Sequence, residues 1–522
     1  MTPCRRSFLK TSGLAVSAAA LPPWVLELEA SQATGVDKRK VADAALSTAK
    51  QLGASYADVR INRYRQESLF TREQRVLQVV RTQSFGVGAR VLVDGTWGFA
   101  SSRIVTAQEA RRVTRLAVEI AKANAAYQPK RISLAPAAKV VANWKSAFEK
   151  DPFNFPIDPK IQFLLNLNQT AMRVKGVSFA SSSLHFVNEQ KFFASSEGSY
   201  IDQYIIRSYP SLNVTAVDSA QGDFSQRETL PGPKTIGYEY LENHPWQDEA
   251  QQAGQEAVEK LSAKSVEPGK YDLVLHPTHL WLTIHESAGH STELDRSLGW
   301  EADYAGTSFL TQDKLGKFQF GSNIVNIVAD RTQPTGLATV GYDDEGVPAQ
   351  RWHLIKDGIF VDWQTTRELA ALIGPGASNG TCHADSWGSV PFSRMPNVSL
   401  QPSPDPVTLD DLLAGVDNGI LIYGNGSWSI DHQRYNFQFG GESFWEIKNG
   451  KKGDMLKDVA YQSRTPDFWG ACDGLGGQAT YDLGGALNDG KGEPTQSNAV
   501  SHGCPVARFR QINVLNTRPR RA

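Results

Sequence analysis

Cysteine, methionine, long apolar runs and net charge are all scarce in this chain. Of its 522 residues four are cysteine and four are methionine, and the formal charge is −1. So balanced a charge leaves no electrostatic footprint for nucleic acid or for an anionic membrane surface, so neither is expected as a partner. Past the N-terminus no apolar stretch approaches the roughly 18 residues needed to span a bilayer, and the body is expected to be soluble once an N-terminal segment is removed. Cys4 stands in that segment, which leaves Cys382, Cys472 and Cys504. An odd number excludes a complete disulfide framework and predicts at least one thiol that is free, a metal ligand or paired with another chain. With 40% hydrophobic and 21% charged residues, the composition is that of a globular protein long enough for two or three domains.

The chain opens with Arg5-Arg6-Ser7-Phe8-Leu9-Lys10 and an Ala-rich, mildly apolar segment from Thr11 to Ala20. This resembles a twin-arginine export signal over residues 1–30, with cleavage after Ala18-Ala19-Ala20 or at Ala30, and implies a periplasmic or extracellular protein. That pathway moves folded proteins, so a metal site can be filled before export.

Asp37 to Gly53 has the periodicity of an amphipathic helix ending at glycine. Tyr56–Asn62, Glu67–Arg72, Val76–Thr82 and Phe85–Val93 carry strand patterns, closed by the turn Asp94-Gly95. Thr106–Tyr127, Ile161–Lys175 and His244–Ser265 read as helices, with strands from Val177 through Val217 around a turn at Glu197-Gly198-Ser199. Pro268-Gly269 marks a boundary. Beyond it lie the strand Tyr271–Leu275, a short helix Thr278–His290, and many short strand-like segments, among them Asn323–Ala329, Gly336–Tyr342, Gln350–Lys356, Gly358–Thr365, Val398–Gln401, Gly419–Tyr423, Asn436–Ile447 and Arg508–Leu515. The fold class is α+β: a helix and antiparallel-meander domain over 31–267, then a β-rich domain over 268–522 bearing the short helix.

That helix carries His285-Glu286-Ser287-Ala288-Gly289-His290 after the apolar run Leu280–Ile284. Neutral imidazoles ligate zinc, and a neighbouring glutamate can take a proton from water activated by the metal. The familiar motif of this kind spaces its histidines i and i+4; here they stand at i and i+5. Five residues rotate an ideal helix by about 140°, so both rings reach one ion only where the helix widens or ends between them. Gly289 makes such a distortion cheap. Without a third ligand, two histidines capping a buried helix would look the same.

These residues, with Ser291-Thr292-Glu293-Leu294-Asp295, Asp343-Asp344-Glu345-Gly346-Val347-Pro348, Leu354-Ile355-Lys356-Asp357-Gly358 and Arg394-Met395-Pro396-Asn397, resemble the metal-bearing TldD half of the TldD/PmbA metallopeptidases. Gly86-Val87-Gly88-Ala89-Arg90 through Asp94-Gly95-Thr96-Trp97-Gly98-Phe99-Ala100 is similar to the first domain of that family. The resemblance runs in order along nearly all of the chain after the signal. It implies a Zn²⁺-dependent peptidase acting on unfolded polypeptides, paired with a PmbA-like subunit or with a second copy of itself around a chamber. Carried across, His285 and His290 are ligands and Glu286 is the general base that passes its proton to the leaving amine. The family's third ligand is a Cys in Cys-Gly-Lys, and the nearest match here is Asp489-Gly490-Lys491. The third ligand is then Asp489, an acceptable oxygen donor at about 2.0–2.2 Å, or Cys472 in Cys472-Asp473-Gly474-Leu475-Gly476-Gly477, with Cys504 as a further thiol.

Weaker signals remain. His502 would stabilise an oxyanion, orient a ligand or simply bond to backbone in a turn. Glu293 and Asp295 would be partners of the imidazoles or, as acids after a helix usually are, solvated. Asp343-Asp344-Glu345-Gly346 is expected to be a tight turn rather than a Ca²⁺ loop, and His383 and His432 are expected to be structural. Two other functions share these residues: a non-catalytic peptide-binding or assembly subunit with a degraded metal site, and an amidohydrolase acting on small molecules.

Overall fold

The two largest sheets, each backed by helices, organise the chain in the computed structural model, which describes residues 35–374 and 376–518. The expected export signal lies outside these residues. The α+β class is what the structure shows.

Helix α1 (Lys38–Gln51) precedes a hairpin of unusual length, β1 (Tyr56–Arg72) and β2 (Arg75–Val93), followed by β3 (Thr96–Ser102) and α2 (Ala107–Asn124). After β4 (Val141–Lys145) and α3 (Ile157–Met172), a second long hairpin, β5 (Val177–Ser195) and β6 (Tyr200–Asp218), leads through β7 (Asp223–Glu228) to α4 (Trp246–Ser262). One seven-stranded sheet holds all seven strands, with β1 and β5 antiparallel at its centre. The breaks expected at 63–66 and 83–84 are absent: pairing runs unbroken from Tyr56↔Leu92 to Phe70↔Gln78. Polar residues there suggested turns, but Arg63, Arg65 and Gln83 instead bond across strands to Gln83, Asn188 and Arg63.

In the second part, β8 (Gly269–Leu275) lies inside a ten-stranded sheet, parallel to Asn418–Tyr423 on one side and antiparallel to the C-terminal strand on the other. The helix α5 (Pro277–Ile284) follows β8 directly and is buried apart from the half-buried Trp281. It packs under a separate two-stranded hairpin, β9 (Asp482–Lys491) and β10 (Gln496–Cys504), before the chain closes with β11 (Ala507–Asn516). A core of Leu273, Leu280, Ile284, Phe437, Phe468, Trp469 and Phe509, among others, lies between sheet and helix.

Several of the expected strands change. Gly336–Tyr342 is loop, Gly358–Thr365 shrinks to the pair Ile359–Phe360, and Asn436–Ile447 splits at Gly440-Gly441 into Asn436–Phe439 and Ser443–Lys448. Gly441 has no room for a side chain: a Cβ would stand 2.2 Å from Ile422. Asp343 to Gly346 is the expected tight turn, with the Asp343 carboxylate accepting from the amides of Glu345 and Val347.

Candidate metal centre

Pro277 at the first helical position and His276 at the cap start α5, and eight residues later the helix widens. His285–Gly289 form a π turn, and a short 3₁₀ turn follows over His290–Thr292. Widening displaces the usual backbone pairs, and side chains take up the freed carbonyls. Ser291 Oγ donates to Ser287 O at 2.7 Å, Thr292 Oγ1 to Ala288 O at 2.8 Å, and Gln364 Nε2 to Gly289 O at 2.6 Å. Gly289 sits against Met395, whose sulfur would lie 2.5 Å from a Cβ there. The five-residue turn brings the two rings together, with centroids 4.5 Å apart.

Asp489 arrives from β9 because of a bulge. Register shifts between Ala486↔Val500 and Asp489↔Asn498, so Leu487 and Asn488 oppose Ala499 alone. Asp489 is thereby buried while Asn488 and Gly490 on either side are exposed. Asp489 Oδ1 lies 3.6 Å from His285 Nε2 and 3.6 Å from His290 Nε2. One potential ligand atom from each of the three residues falls within 4.8 Å of the others. Two donors on one tetrahedral zinc would be about 3.4 Å apart, so this donor set fits such an ion.

Hydrogen bonds fix which ring nitrogen is free. His502 Nδ1 lies 2.8 Å from Val398 O and must donate to it, so its Nε2 accepts from His285 Nδ1–H at 2.8 Å. His290 Nδ1–H donates to Glu293 Oε2 at 2.8 Å. Both Nε2 lone pairs therefore point toward Asp489. Glu293 is fully buried, not solvated: Lys491 reaches its other oxygen at 2.8 Å, and Arg296 Nε lies 2.5 Å from Oε2. Lys491 also pairs with Asp295 at 2.7 Å. Arg394 steadies Asp489 through Oδ2 at 3.0 Å.

Burial opposes charge on every group here, and the neighbours decide the outcome. It is outweighed at Asp489, where His290, His285 and Arg394 hold the carboxyl well below its usual range, and at Glu293, where Arg296 and Lys491 do the same. Burial together with Arg296 and Arg434 keeps His290 neutral, whereas beside Asp489 and Glu286 His285 is raised. Asp489 and His290 thus present the ionised oxygen and neutral nitrogen a cation requires, whereas at His285 a cation would have to displace a proton that Asp489 favours.

Glu286 lies in the same π turn and pairs with Arg434 Nη1 at 2.5 Å. Neither thiol joins this group. Cys472 begins a short strand paired to β11 at Phe509, inside the main core, and burial pushes its thiol up to about 12. Cys504, at the end of β10, faces Pro277 O and is likewise raised by burial. Among the described residues Cys382, Cys472 and Cys504 form no disulfide. His383 is buried beside Lys191 and Asp344, away from the group; His432 meets Thr307 through its backbone. Arg434 and Gln364 had no signal in the sequence, whereas Arg394 and Lys491 lie inside motifs already noted.

Three family models match the chain in order: PmbA/TldA metallopeptidase domain 1 over residues 57–121, the central domain over 150–264 and the C-terminal domain over 268–516. A metalloprotease of Methanothermobacter thermautotrophicus is 27% identical over 88% of this chain and 96% of its own. A zinc metalloprotease TldD homolog of Saccharolobus solfataricus is 23% identical over 90% and 98%. The crystal structure of TldE from Thermococcus kodakarensis shares the fold, with a TM-score of 0.72 over 90% of this chain and 98% of that one at 14% identity.

Proposed function

We propose, since the chain belongs to the PmbA/TldA metallopeptidase family, that it is a zinc-dependent peptidase of unfolded polypeptides, exported by the twin-arginine route and active in the periplasm or outside the cell. The observation that carries the metallopeptidase part of this reading is the convergence of His285 Nε2, His290 Nε2 and Asp489 Oδ1 on one point beside a buried glutamate. Those three residues would hold the ion, which when bound acidifies water and polarises a carbonyl. Glu286 takes the proton from the attacking water as the oxygen bonds to the scissile carbonyl carbon. It then gives that proton to the amine nitrogen as the carbon–nitrogen bond breaks. Arg434 engages Oε2 and leaves Oε1 to accept. Glu293 and His502 hold the two rings in the tautomers whose Nε2 would face the ion. A PmbA-like subunit or a second copy would complete the chamber.

The test pairs metal analysis with a peptidase assay. Glu286→Gln should keep its metal and lose about 10²–10⁴-fold in rate, and Asp489→Ala should lose the metal itself. A wild-type protein without stoichiometric metal, or a Glu286→Gln variant that cuts as fast as wild type, overturns the reading in favour of a binding subunit. Cleavage of small amides but not of unfolded polypeptide would instead leave the chemistry and replace the substrate.

A further inference from the structure

Between the π turn and the core, the chain makes an excursion bounded by two left-handed glycines, Gly299 at φ +79° and Gly306 at φ +90°. Its exposed face carries two large aromatics, Trp300 and Tyr304, each about half accessible. Trp and Tyr each pair a large apolar ring with a polar tip, the combination suited to gripping a polypeptide at a wet surface.

The excursion touches each of the three elements that build the candidate centre. It leaves the helix through Trp300 N–H donating to Asp295 O at 3.0 Å. It lies on the end of β9, where Gly492 N–H donates to Glu301 Oε2 at 3.2 Å and a Cβ on Gly490 would stand 3.9 Å from the Tyr304 hydroxyl. It ends on the turn 431–435, where Thr307 N–H donates to His432 O and Phe309 N–H to Gln433 O. At its buried end, the Ala305 carbonyl accepts from both Arg296 and Arg434, at 2.8 Å from the latter. Those guanidiniums are the ones that hold Glu293 and Glu286. Arg434 itself sits at φ +64°, a left-handed conformation that a non-glycine residue keeps only under constraint, and its buried Nε has no partner. It is thus a strained residue with one hand on the proposed base and the other on the excursion.

We propose that residues 299–306 form a substrate strap, in which Trp300 and Tyr304 grip the polypeptide and the Ala305 carbonyl couples strap position to Glu286 through Arg434. This rests on the peptidase reading for the identity of the ligand. Arg434 acts here as a positioning residue: as the strap settles on a chain, the Ala305–Arg434 bond sets where the guanidinium, and hence the Glu286 carboxylate, stands.

The experiment uses the full-length protein stripped of metal with a chelator, so that bound polypeptide is not cut, and fluorescein-labelled casein as the probe. Fluorescence anisotropy should show Trp300→Ala/Tyr304→Ala binding about tenfold more weakly than wild type. Amide exchange over 299–306 should slow when wild type binds casein. In the free protein, Arg434→Met should speed exchange over the same residues about tenfold and leave Val177–Ser195 unchanged. Both aromatics are exposed, so the double variant tests binding without a cost in folding. Casein bound equally well by the double variant, casein not bound by wild type, or an unchanged strap in Arg434→Met would each overturn the strap. Binding with strap protection, combined with metal-loaded protein that fails to cut casein, would keep the strap and reject the peptidase.

Discussion

A single ring nitrogen decides whether His285 can serve a cation, and His502 decides which nitrogen that is. Its Nδ1 is committed to Val398 O, so its Nε2 must accept, and His285 Nδ1 must carry the proton. Replacing His502 by Phe keeps an aromatic plane against Trp281, with which the imidazole now stacks at 6.0 Å, but leaves His285 Nδ1–H without a partner. His285 would then lose its preference for the tautomer that presents Nε2. Metal affinity should fall about 10–100-fold, as losses of such orienting partners do, measured by competition against a chromogenic chelator. An unchanged affinity would mean that packing alone orients the ring. At this scale the sequence was informative where chemistry is carried by neighbours in the chain: His285, Glu286 and His290 declare themselves within six residues. It was uninformative where the partner comes from elsewhere. Glu293 looked like a solvated acid because nothing nearby announces that Lys491, 198 residues on, will neutralise it in the interior. The choice between Asp489 and Cys472 needed the third dimension too, since both stand near glycines and both are buried, and only Asp489 is brought against the two imidazoles.

Among the elements, the hairpin β9–β10 does most to complete the centre, and it was the one least visible in the sequence. Glycine, asparagine and serine fill it, so neither β-branched residues nor clean alternation marks it as strand. The glycines have a packing reason. Gly484 lies on the Trp281 ring, which would stand 2.1 Å from any Cβ, and Gly485 lies 2.4 Å from Val500 O on the same test. Bare backbone lets the hairpin rest directly on α5, and that contact delivers Asp489 and His502 to the π turn. Gly484→Val should therefore lift the hairpin from the helix. The expected cost is about 1–3 kcal/mol of stability, together with weaker metal binding although no ligand has changed. Equal metal affinity in a destabilised Gly484→Val protein would show that the hairpin can tilt without moving Asp489. The long strands of the first sheet failed to read correctly for the opposite reason: polar residues in mid-strand looked like turns, yet cross-strand partners such as Asn188 and Gln83 absorb them. The π turn, by contrast, was legible, because an i, i+5 pair bearing a glycine leaves a helix few other ways to bring both rings to one side.

Over the whole molecule, buried charges tie the first sheet to the second part of the chain. Arg90 pairs with Asp58 and Glu345, Lys191 with Asp344, and Arg367 with Glu197. Glu442 is the instructive member. Its carboxylate accepts from the Glu228 amide at 2.5 Å and lies 3.5 Å from Arg227, joining β7 to the sheet of the second part. Burial pushes it up to about 7, with the nearby Glu228 adding to the rise, against the pull of Arg227 and Lys260. An unfolded glutamate ionises near pH 4.5, so between about pH 4.5 and 7 the folded protein holds a proton that the unfolded chain has released. Stability from this group is therefore greatest below the unfolded value and falls as pH rises, with the loss complete above about 7. His276 and His279, lowered by burial to about 3 and about 4, act in the other direction: stability is lost as pH drops below their unfolded value near 6.5. The two trends oppose each other in the wild-type profile, which a variant can separate. Glu442→Gln mimics the protonated acid and leaves the histidines alone. It should match wild type near pH 4 and exceed it by about 3 kcal/mol at pH 8, read as the difference between paired urea denaturations. A variant that is no more stable than wild type at pH 8 would mean that Arg227 and the Glu228 amide keep Glu442 ionised in the folded protein, and that this junction is a salt bridge rather than a protonated acid.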